Sequence, residues 1–407
     1  MARLLSSPKS SFALAILLTA SAVAADIPAG TDLQIRLKTK VSTKTSRAGD
    51  PVEAVVIAPV KIGAQYFVPA GATVRGTVSQ VTESDKADER STLTLAFNEI
   101  EIGGARLKLA AQLVAIDNAR EKLDEHGQIN GILASDTITG KIDSGINKIA
   151  EKYSGFAGVL SAAKSAVLKP ADSDITYDAG VEMSLRLTAP LTVKTASPSG
   201  FPTKLQPMPD TAMLARLVAA EPFQTIAQNP PKPSDITNLL LIGTESQVKQ
   251  AFADAGWTIA TGLNARAKFE TLRALAEDRG YSEAPVSILL LDGKPPDIVF
   301  EKLNNTFAHR HHLRVWARTA TFEGKPVWAV AATHDIGINF SEENRTFIHR
   351  IDSKIDTERA KVVDDLLFTG RVQSVHLVDR PKVPQKGQNA TGDDLETDAK
   401  IAVLLLN

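Results

Sequence analysis

Apolar and polar residues alternate along much of the first half of the chain. The run Asp32-Leu-Gln-Ile-Arg-Leu follows a Pro-Ala-Gly-Thr turn, and Val74-Arg-Gly-Thr-Val-Ser follows a similar turn. A repeat of two residues is typical of a strand with one buried face. The later stretch Ala179-Gly-Val-Glu-Met-Ser-Leu-Arg-Leu has the same pattern as Ala29-Gly-Thr-Asp-Leu-Gln-Ile-Arg-Leu. We therefore predict a β-rich domain over residues 26–195, a small barrel or sandwich closed by its first and last strands.

A different spacing interrupts this alternation. Between residues 142 and 168 the apolar residues recur at intervals of three and four, and Gly155 and Gly158 break the series. This pattern predicts a pair of amphipathic helices within an insertion at about 117–172. The helices would pack on the β-rich domain, dock a partner or lie on a membrane surface.

The second half has a mixed pattern. Proline and small residues cluster over 196–212, which predicts a linker. Beyond it, short apolar runs alternate with segments of helical spacing, and strands grouped in hairpins with flanking helices indicate an α+β domain with an antiparallel sheet over 213–380. We predict that residues 381–407 form a disordered tail.

Residues 1–25 have the composition of a secretory signal peptide. Arg3 and Lys9 supply positive charge before the apolar stretch Phe12 to Leu18. Ala22-Val-Ala-Ala then offers a cleavage site. We expect a periplasmic or secreted protein with no transmembrane span once this segment is removed. The sequence contains no cysteine, which excludes disulfides and favours a bacterial envelope.

Charge and motifs narrow the function further. The 46 Lys and Arg residues balance 47 Asp and Glu residues, so no net field attracts nucleic acid. The sequence contains no Gly-x-Ser-x-Gly nucleophile motif, no phosphate-binding loop and no dinucleotide-binding glycine pattern.

Histidines mark the one region where chemistry is expected. Five of the seven lie between His309 and His349, around two strand-like runs that meet at Glu323-Gly324, a tight-turn signal. A two-residue loop would place His312 opposite Asp335. A three-residue loop would place Arg314 or His312 opposite His334, and every register brings the same two strand ends together.

These strand ends supply the candidate site. The candidate catalytic residues are His312, His334, Asp335, His349 and Asp352. His334, Asp335 and His349 are the candidate ligands of a divalent metal such as zinc or manganese. Arg310 and Arg314 are the candidate ligand-binding residues, because guanidinium groups pair with anions. A purely structural hydrogen-bonded network is the alternative interpretation.

The motifs around these histidines resemble the C-terminal domain of the LssY family. The similar stretches are Ile298-Val-Phe-Glu-Lys, Arg310-His-His-Leu-Arg-Val-Trp, Pro326-Val-Trp-Ala-Val-Ala-Ala-Thr-His-Asp-Ile-Gly-Ile and His349-Arg-Ile-Asp, within about 205–380. The resemblance implies a relation to a family that takes its name from a gene at a secretion locus. In that family the domain often accompanies membrane phosphatase-like segments. A signal peptide and a β-rich domain replace those segments here, so the resemblance implies no lipid-phosphatase activity.

The first half resembles the outer-membrane β-barrel domain of type IV secretion scaffold proteins. The resemblance lies in the turns Ile27-Pro-Ala-Gly-Thr and Val68-Pro-Ala-Gly-Ala-Thr. It implies a β fold located in the cell envelope.

Two functional hypotheses follow. The favoured one is an exported envelope protein that acts as a binding or scaffold module for an envelope protein or an envelope-derived ligand. The alternative is a metal-dependent hydrolase of phosphoesters that uses the His/Asp cluster.

Overall fold

The computed structural model describes residues 24–86, 88–133, 173–228, 231–260, 289–302, 309–341 and 346–407. The predicted signal-peptide segment 1–23 and the predicted helix pair at 142–168 lie outside the described residues. The strands of the first half are β1 (Ala25–Ile27), β2 (Asp32–Leu37), β3 (Val41–Ser42), β4 (Pro51–Val56), β5 (Val60–Ile62), β6 (Gln65–Val68), β7 (Thr73–Thr82), β8 (Thr92–Ile102), β9 (Ala105–Lys108), β10 (Ala111–Ile116), β11 (Lys122–Leu123), β12 (Ile129–Asn130), β13 (Thr176–Tyr177), β14 (Glu182–Leu187) and β15 (Leu191–Val193).

Nine of these strands form one nearly closed, barrel-like sheet. Its order is β10, β14, β2, β4, β7, β8, β12 and β11, and β9 pairs with β8 before leading into β10. The two stretches with the same pattern, β2 and β14, are antiparallel neighbours with Leu33 opposite Leu185. The predicted β-rich fold, closed by its early and late strands, is confirmed.

The alternation of apolar and polar residues along the strands explains which side chains form the barrel core. Along β2, Leu33, Ile35 and Leu37 point inward and are buried, whereas Asp32 and Gln34 are exposed. Tight strand contacts also use Gly76, since a Cβ at this position would lie 2.1 Å from the carbonyl oxygen of Ala96. The outward-facing Arg36 is buried as well, because the second domain covers it.

The predicted start of the insertion, near residue 117, is wrong. The segment after β10 forms β11 and β12, and β12 pairs with β8 in the barrel-like sheet. Ile129 is fully buried in the barrel core. This segment has too few apolar residues to show the two-residue period of a strand. Its two short strands nevertheless complete the sheet.

The second half contains the remaining elements. They are α1 (Thr211–Ala220), β16 (Gln224–Gln228), β17 (Pro231–Ile236), β18 (Leu239–Ile242), α2 (Glu245–Asp254), β19 (Trp257–Ile259), β20 (Leu289–Leu290), β21 (Ile298–Lys302), β22 (His309–Phe322), β23 (Lys325–Ser341), β24 (Thr346–Ile351), α3 (Ile355–Phe368), β25 (Val372–Asp379), β26 (Lys386–Gln388), β27 (Asp394–Glu396) and β28 (Lys400–Leu406). None of the described helices is both long enough and apolar enough to cross a membrane.

A second sheet organises this half in the order β19, β21, β22, β23, β18, β28 and β25, with β24 on β23. Helices α2 and α3 pack on one face through Phe252, Val362 and Leu366, and α1 packs on the other through Leu214 and Val218. The pairing is antiparallel except between β18 and β28. The predicted α+β fold is confirmed, while the linker at 196–212 stays a prediction.

The prediction of a disordered tail over 381–407 is wrong. Strand β28 lies between β18 and β25 and its residues 401–406 are all buried. A short, continuous apolar run is the signature of a strand covered on both faces, and Ile401-Ala-Val-Leu-Leu-Leu has that signature.

The histidine-rich hairpin has a register that differs from all three predicted pairings. The turn has two residues, with Phe322 opposite Lys325, as one prediction required. A bulge between Ala317 and Thr321 then adds two residues to β22, so that His311 lies opposite His334 and Arg310 opposite Asp335. The register predictions failed because they assumed a ladder without a bulge.

Candidate functional site

A cleft of about 520 Å³ lies between the barrel-like sheet and the second domain. We call it the interdomain cleft. Its barrel side is lined by Gln34, Ile57, Ala58, Ala115, Ile116, Asp117, Asn118, Ala119, Glu182, Met183 and Ser184. Its other side is lined by His309, His334, Thr357, Lys361, Asp364 and Asp365. The barrel therefore supplies a wall of both apolar and polar residues, and α3 with β22 and β23 supplies a polar one.

His311 lies beside the cleft between two carboxylates from different domains. Its Nδ1 is 2.7 Å from Oε2 of Glu358 on α3, and its Nε2 is 2.9 Å from Oδ1 of Asp117 after β10. Burial opposes a charge on the ring, but Asp117 and Glu358 outweigh it and raise the pKa of His311 to about 10. At neutral pH the ring is an imidazolium that donates from both nitrogens.

The two carboxylates respond in the opposite direction. Burial would raise the pKa of Asp117, but His311 and Lys361 lower it well below its ordinary value. The pKa of Glu358 is likewise lowered by His311, again against burial. The three groups form a charged chain across the domain boundary.

His334 is stacked on His311 and behaves differently. The ring centroids are 3.9 Å apart and the planes meet at 15°. Nε2 of His334 lies 3.2 Å from Oδ1 of Asn118, which can only accept, so this nitrogen carries the proton and Nδ1 keeps a lone pair. Burial, and then the charge of His311, lower the pKa of His334 to about 4. The ring is neutral at pH 7.

Local backbone geometry presents the barrel side of this arrangement. Asn118 has a φ of 55°, in the left-handed region that asparagine tolerates better than most residues. The backbone N–H of Asp117 donates to the carbonyl of Glu182 over 2.9 Å, which fixes the turn to β14. Asp117 and Asn118 thus reach the two histidines from one short turn.

A second charged group surrounds Glu182 and Asp365. Arg36 lies opposite Glu182 on neighbouring strands and donates to its Oε1 over 2.7 Å and to Oδ1 of Asp365 over 3.2 Å. Lys302, only 1% exposed, contacts Glu182 at 2.9 Å and Asp365 at 2.6 Å. Lys361 also donates to Glu182, and Trp257 Nε1 donates to Asp365 over 3.0 Å. The domains are therefore joined by buried ion pairs.

Asp364 stands apart from this pairing. In the described part of the chain its carboxylate forms neither a hydrogen bond nor an ion pair, although it lines the interdomain cleft. Burial, and then the neighbouring Asp365, raise the pKa of Asp364 to about 6, while Lys361 and Lys61 oppose the rise.

The predicted metal ligands are not brought together. His334 faces the cleft, whereas Asp335, its neighbour on β23, faces the other side of the sheet and accepts from Nε and Nη2 of Arg310 over 2.9 and 2.8 Å. His349 pairs through its backbone with Ile338 on β24, and its side chain lies outside the described part of the structure. A set of His334 and Asp335 on one ion is incompatible with this geometry.

Three other predicted residues also face away from the cleft. Nε2 of His312 lies 3.0 Å from the Thr333 hydroxyl, and Arg314 donates to Asp235 over 2.9 Å. Arg310 and Arg314 are each 3% exposed, so both guanidinium groups are used inside the protein. Both groups have the internal carboxylate partners that buried cations need, and neither residue lines the cleft.

Asp352 does lie near His334. Its backbone N–H donates to the His334 carbonyl over 2.8 Å, and its Oδ1 accepts from the N–H of Lys354. Among the predicted site residues whose side chains the structure describes, His334 is thus the one that lines the cleft, and Asp352 lies beside it along the backbone.

Sequence reasoning missed most of the residues that form the site. On α3, Glu358, Lys361 and Asp365 are spaced by three and four and share one face, a signal that could have been read as a charged stripe. The barrel residues Asp117 and Glu182 come from turns and strands nearly two hundred positions away, and no local pattern identifies them.

A metal could use a different set of donors. One ligand atom from each of His311, His334 and Glu358 lies within 4.8 Å of the others. However, the lone pairs of nearly parallel rings run side by side and do not converge on one ion. Both nitrogens of His311 also hold protons between carboxylates. The present geometry favours a hydrogen-bonded network, in which a protonated His311 lies between two carboxylates, over a metal centre.

Comparison with known proteins agrees with the motifs described above. A search of curated proteins found no match to the chain. The resemblance of the first half to secretion scaffold proteins stays a prediction. Residues 222–401 match the family model of the LssY C-terminus, so the second domain of this chain, including the start of β28, is an LssY C-terminal domain.

Proposed function

We propose that this protein is an exported envelope protein that binds a small ligand in the interdomain cleft. The observation that carries the proposal is the cleft itself, which both domains line and in which His334 and Asp364 retain hydrogen-bonding capacity. Its volume lies in the range of sites that hold small molecules, about 300–1,000 Å³.

The walls of the cleft are held in place before any ligand arrives. The pairs Arg36–Asp365, Glu182–Lys302 and Asp117–His311 all join the barrel to the LssY C-terminal domain. A preformed site loses less conformational freedom on binding, which favours affinity. This is the behaviour expected of a binding module.

The titrating groups suit binding better than proton transfer. A general base works best when its pKa lies near the working pH. The pKa of His334 is about 4, and His311 is held as an imidazolium by two carboxylates. Neither ring is ready to abstract a proton at pH 7, but His334 can accept a hydrogen bond through Nδ1.

Ligand binding is tested by differential scanning fluorimetry and calorimetry on the signal-free protein. The panel contains amines, sugars, phosphoesters and carboxylic acids, and the blocking variant is Ala115→Trp, which fills the cleft. The control is Ala64→Trp, at an exposed turn position that does not line the cleft. We expect a panel member to stabilise the parent and the control but not the blocked variant. Stabilisation that survives Ala115→Trp, or a panel without any binder, would contradict the proposal.

Export rests on the composition of residues 1–25. We expect the full chain, expressed in a bacterial host, to appear in the periplasmic or secreted fraction with Asp26 as its first residue. Retention of the intact chain in the cytoplasm would refute export without affecting the binding site.

A metal-dependent hydrolase is the second candidate, since three potential ligand atoms lie within 4.8 Å of one another. Elemental analysis of the untagged protein and of the double variant His334→Ala/Glu358→Gln decides between the hydrolase and the binding module. Stoichiometric zinc or manganese that disappears in a folded variant would favour the hydrolase. Equal, substoichiometric metal in both proteins would favour the binding module.

A further inference from the structure

The charged groups around the interdomain cleft do not balance. Four cations contact four carboxylates: Arg36, Lys302, His311 and Lys361 with Asp117, Glu182, Glu358 and Asp365. Asp364 is a fifth carboxylate. It has no hydrogen-bonded or ion-paired partner in the described part of the chain. When Asp364 is ionised, the carboxylates of this cluster outnumber its cations by one, and Lys61, whose charge acts on Asp364, forms no ion pair with it and does not line the cleft.

The surface that a ligand meets is more acidic still. Asp117, Glu182, Asp364 and Asp365 line the cleft, and Lys361 is the one Lys or Arg among the lining residues. Lys361 is already engaged with Glu182. An anionic ligand would lie against four carboxylates, and the one Lys or Arg in the lining is already paired, which costs free energy in a partly desolvated site.

We propose that the ligand is a protonated amine with a compact apolar body, bound with its ammonium group against the Asp364 carboxylate. This inference rests on the proposed binding function and names the ligand class. The ammonium group would supply the missing positive charge, and its N–H groups would donate charge-assisted hydrogen bonds to Asp364.

The opposite wall accounts for the apolar body. Ile57, Ala58, Ala115, Ile116 and Ala119 are apolar residues with which the barrel lines the cleft. They offer hydrophobic contact without competing hydrogen bonds. A polyamine without an apolar part would leave these apolar residues exposed to water. It should therefore bind less tightly than an amine of the same charge that also carries a ring or a branched chain.

His334 provides a second point of recognition. Glu358, which lies close to His334, precedes Asp364 by six residues on α3, an axial rise of about 9 Å. His334 and Asp364 both line the cleft. An amine that carries a hydroxyl or amide N–H at its far end could donate to Nδ1 of His334 as well.

Calorimetry with three related probes tests the charge requirement. The probes are phenethylamine, the neutral 2-phenylethanol and the anionic phenylacetate, each added to the signal-free protein at pH 7.5. We expect phenethylamine to bind at least about tenfold more tightly than either analogue, because charge-assisted hydrogen bonds are roughly twice as strong as neutral ones.

Variants locate the binding. Asp364→Asn keeps the shape of the side chain and should weaken phenethylamine by about tenfold or more, and Ala115→Trp should abolish binding. The matched control is Asp379→Asn, a carboxylate that is 80% exposed on β25, and it should bind as the parent does. Circular dichroism and the melting temperature of each variant establish that it folds.

Each result bears on a different statement. If 2-phenylethanol or phenylacetate binds as well as the amine and Ala115→Trp blocks it, the cleft binds ligands and the amine class is wrong. If phenethylamine binds equally to Asp364→Asn and Ala115→Trp, its site is elsewhere and the inference falls. If none of the three probes binds, the amine inference falls, and the wider panel alone decides whether the cleft is a binding site.

Discussion

Replacement of His311 by asparagine gives the sharpest test of the charged chain across the domain boundary. The substitution removes the imidazolium and leaves Asp117 and Glu358 buried without their shared partner. Loss of one member of a buried ion pair costs about 3–5 kcal/mol, because the remaining charge is left desolvated.

The pKa of His311 gives an independent magnitude. The difference between about 10 in the folded protein and the ordinary 6.5 corresponds to about 5 kcal/mol. Asp117 and Glu358 share this same interaction, so their lowered pKa values do not add to it. We expect His311→Asn to lower the free energy of unfolding by about 3–5 kcal/mol at pH 6.

The pH dependence follows from the direction of the shift. A histidine with a raised folded pKa contributes its full stabilisation below the unfolded pKa of 6.5 and loses it as pH rises through about 10. The difference between the parent and His311→Asn should therefore be largest near pH 6 and shrink steadily towards pH 10.

Urea unfolding followed by tryptophan fluorescence at pH 6, 7, 8, 9 and 10 measures this difference. Asp117→Asn in the His311→Asn background should recover part of the lost stability, since it removes one unpaired carboxylate. A difference that stays constant over this range, or one below about 1 kcal/mol at pH 6, would refute the imidazolium assignment.

Three further predictions concern other parts of the structure. The pKa of His334 is about 4 against the ordinary 6.5, so the free energy of unfolding of the parent should fall by up to about 3 kcal/mol as pH falls from 6.5 towards 4. Urea unfolding of His334→Gln should lack this part of the pH dependence. An unchanged pH dependence would count against a neutral ring. Leu404→Ala in β28 should lower the free energy of unfolding by about 2–5 kcal/mol in chemical denaturation, and a near-zero effect would mean that the strand is not in the core. Arg310→Met should lower the free energy of unfolding by about 3–5 kcal/mol, and Arg310→Met/Asp335→Leu should recover most of that loss in the same assay. Equal instability of the two variants would argue against the pairing of Arg310 with Asp335.

The architecture could be predicted where the period of two was long enough to read. Strands β2 and β14 share a pattern, and their pairing closes the barrel-like sheet as that pattern indicated. Strands of two residues, such as β11 and β12, carry no period, and only their contacts with β8 define them. Strand β28 was misjudged because a charged and polar stretch precedes its apolar run.

The site was predictable only in part, for physical reasons. The histidine cluster directed attention to His334, but its neighbour Asp335 faces the opposite side of the sheet. The bulge between Ala317 and Thr321 changed the partner of every residue beyond it. Asp117, Asn118 and Glu182 reach the site through the docking of two domains, which leaves no trace in the spacing of residues along the chain.

The polar character of the domain boundary has a consequence for other proteins with an LssY C-terminal domain. Arg36, Asp117 and Glu182 of the barrel pair with charges on the second domain, where Lys302, His311 and Lys361 are the cations that contact Asp117 and Glu182. A domain that lacks this barrel would leave those cations without their barrel partners, and nothing would then select for their geometry towards them. The two groups of positions should therefore change together across related sequences, so that co-variation between 36, 117 and 182 and 302, 311 and 361 identifies the chains that share this domain pairing.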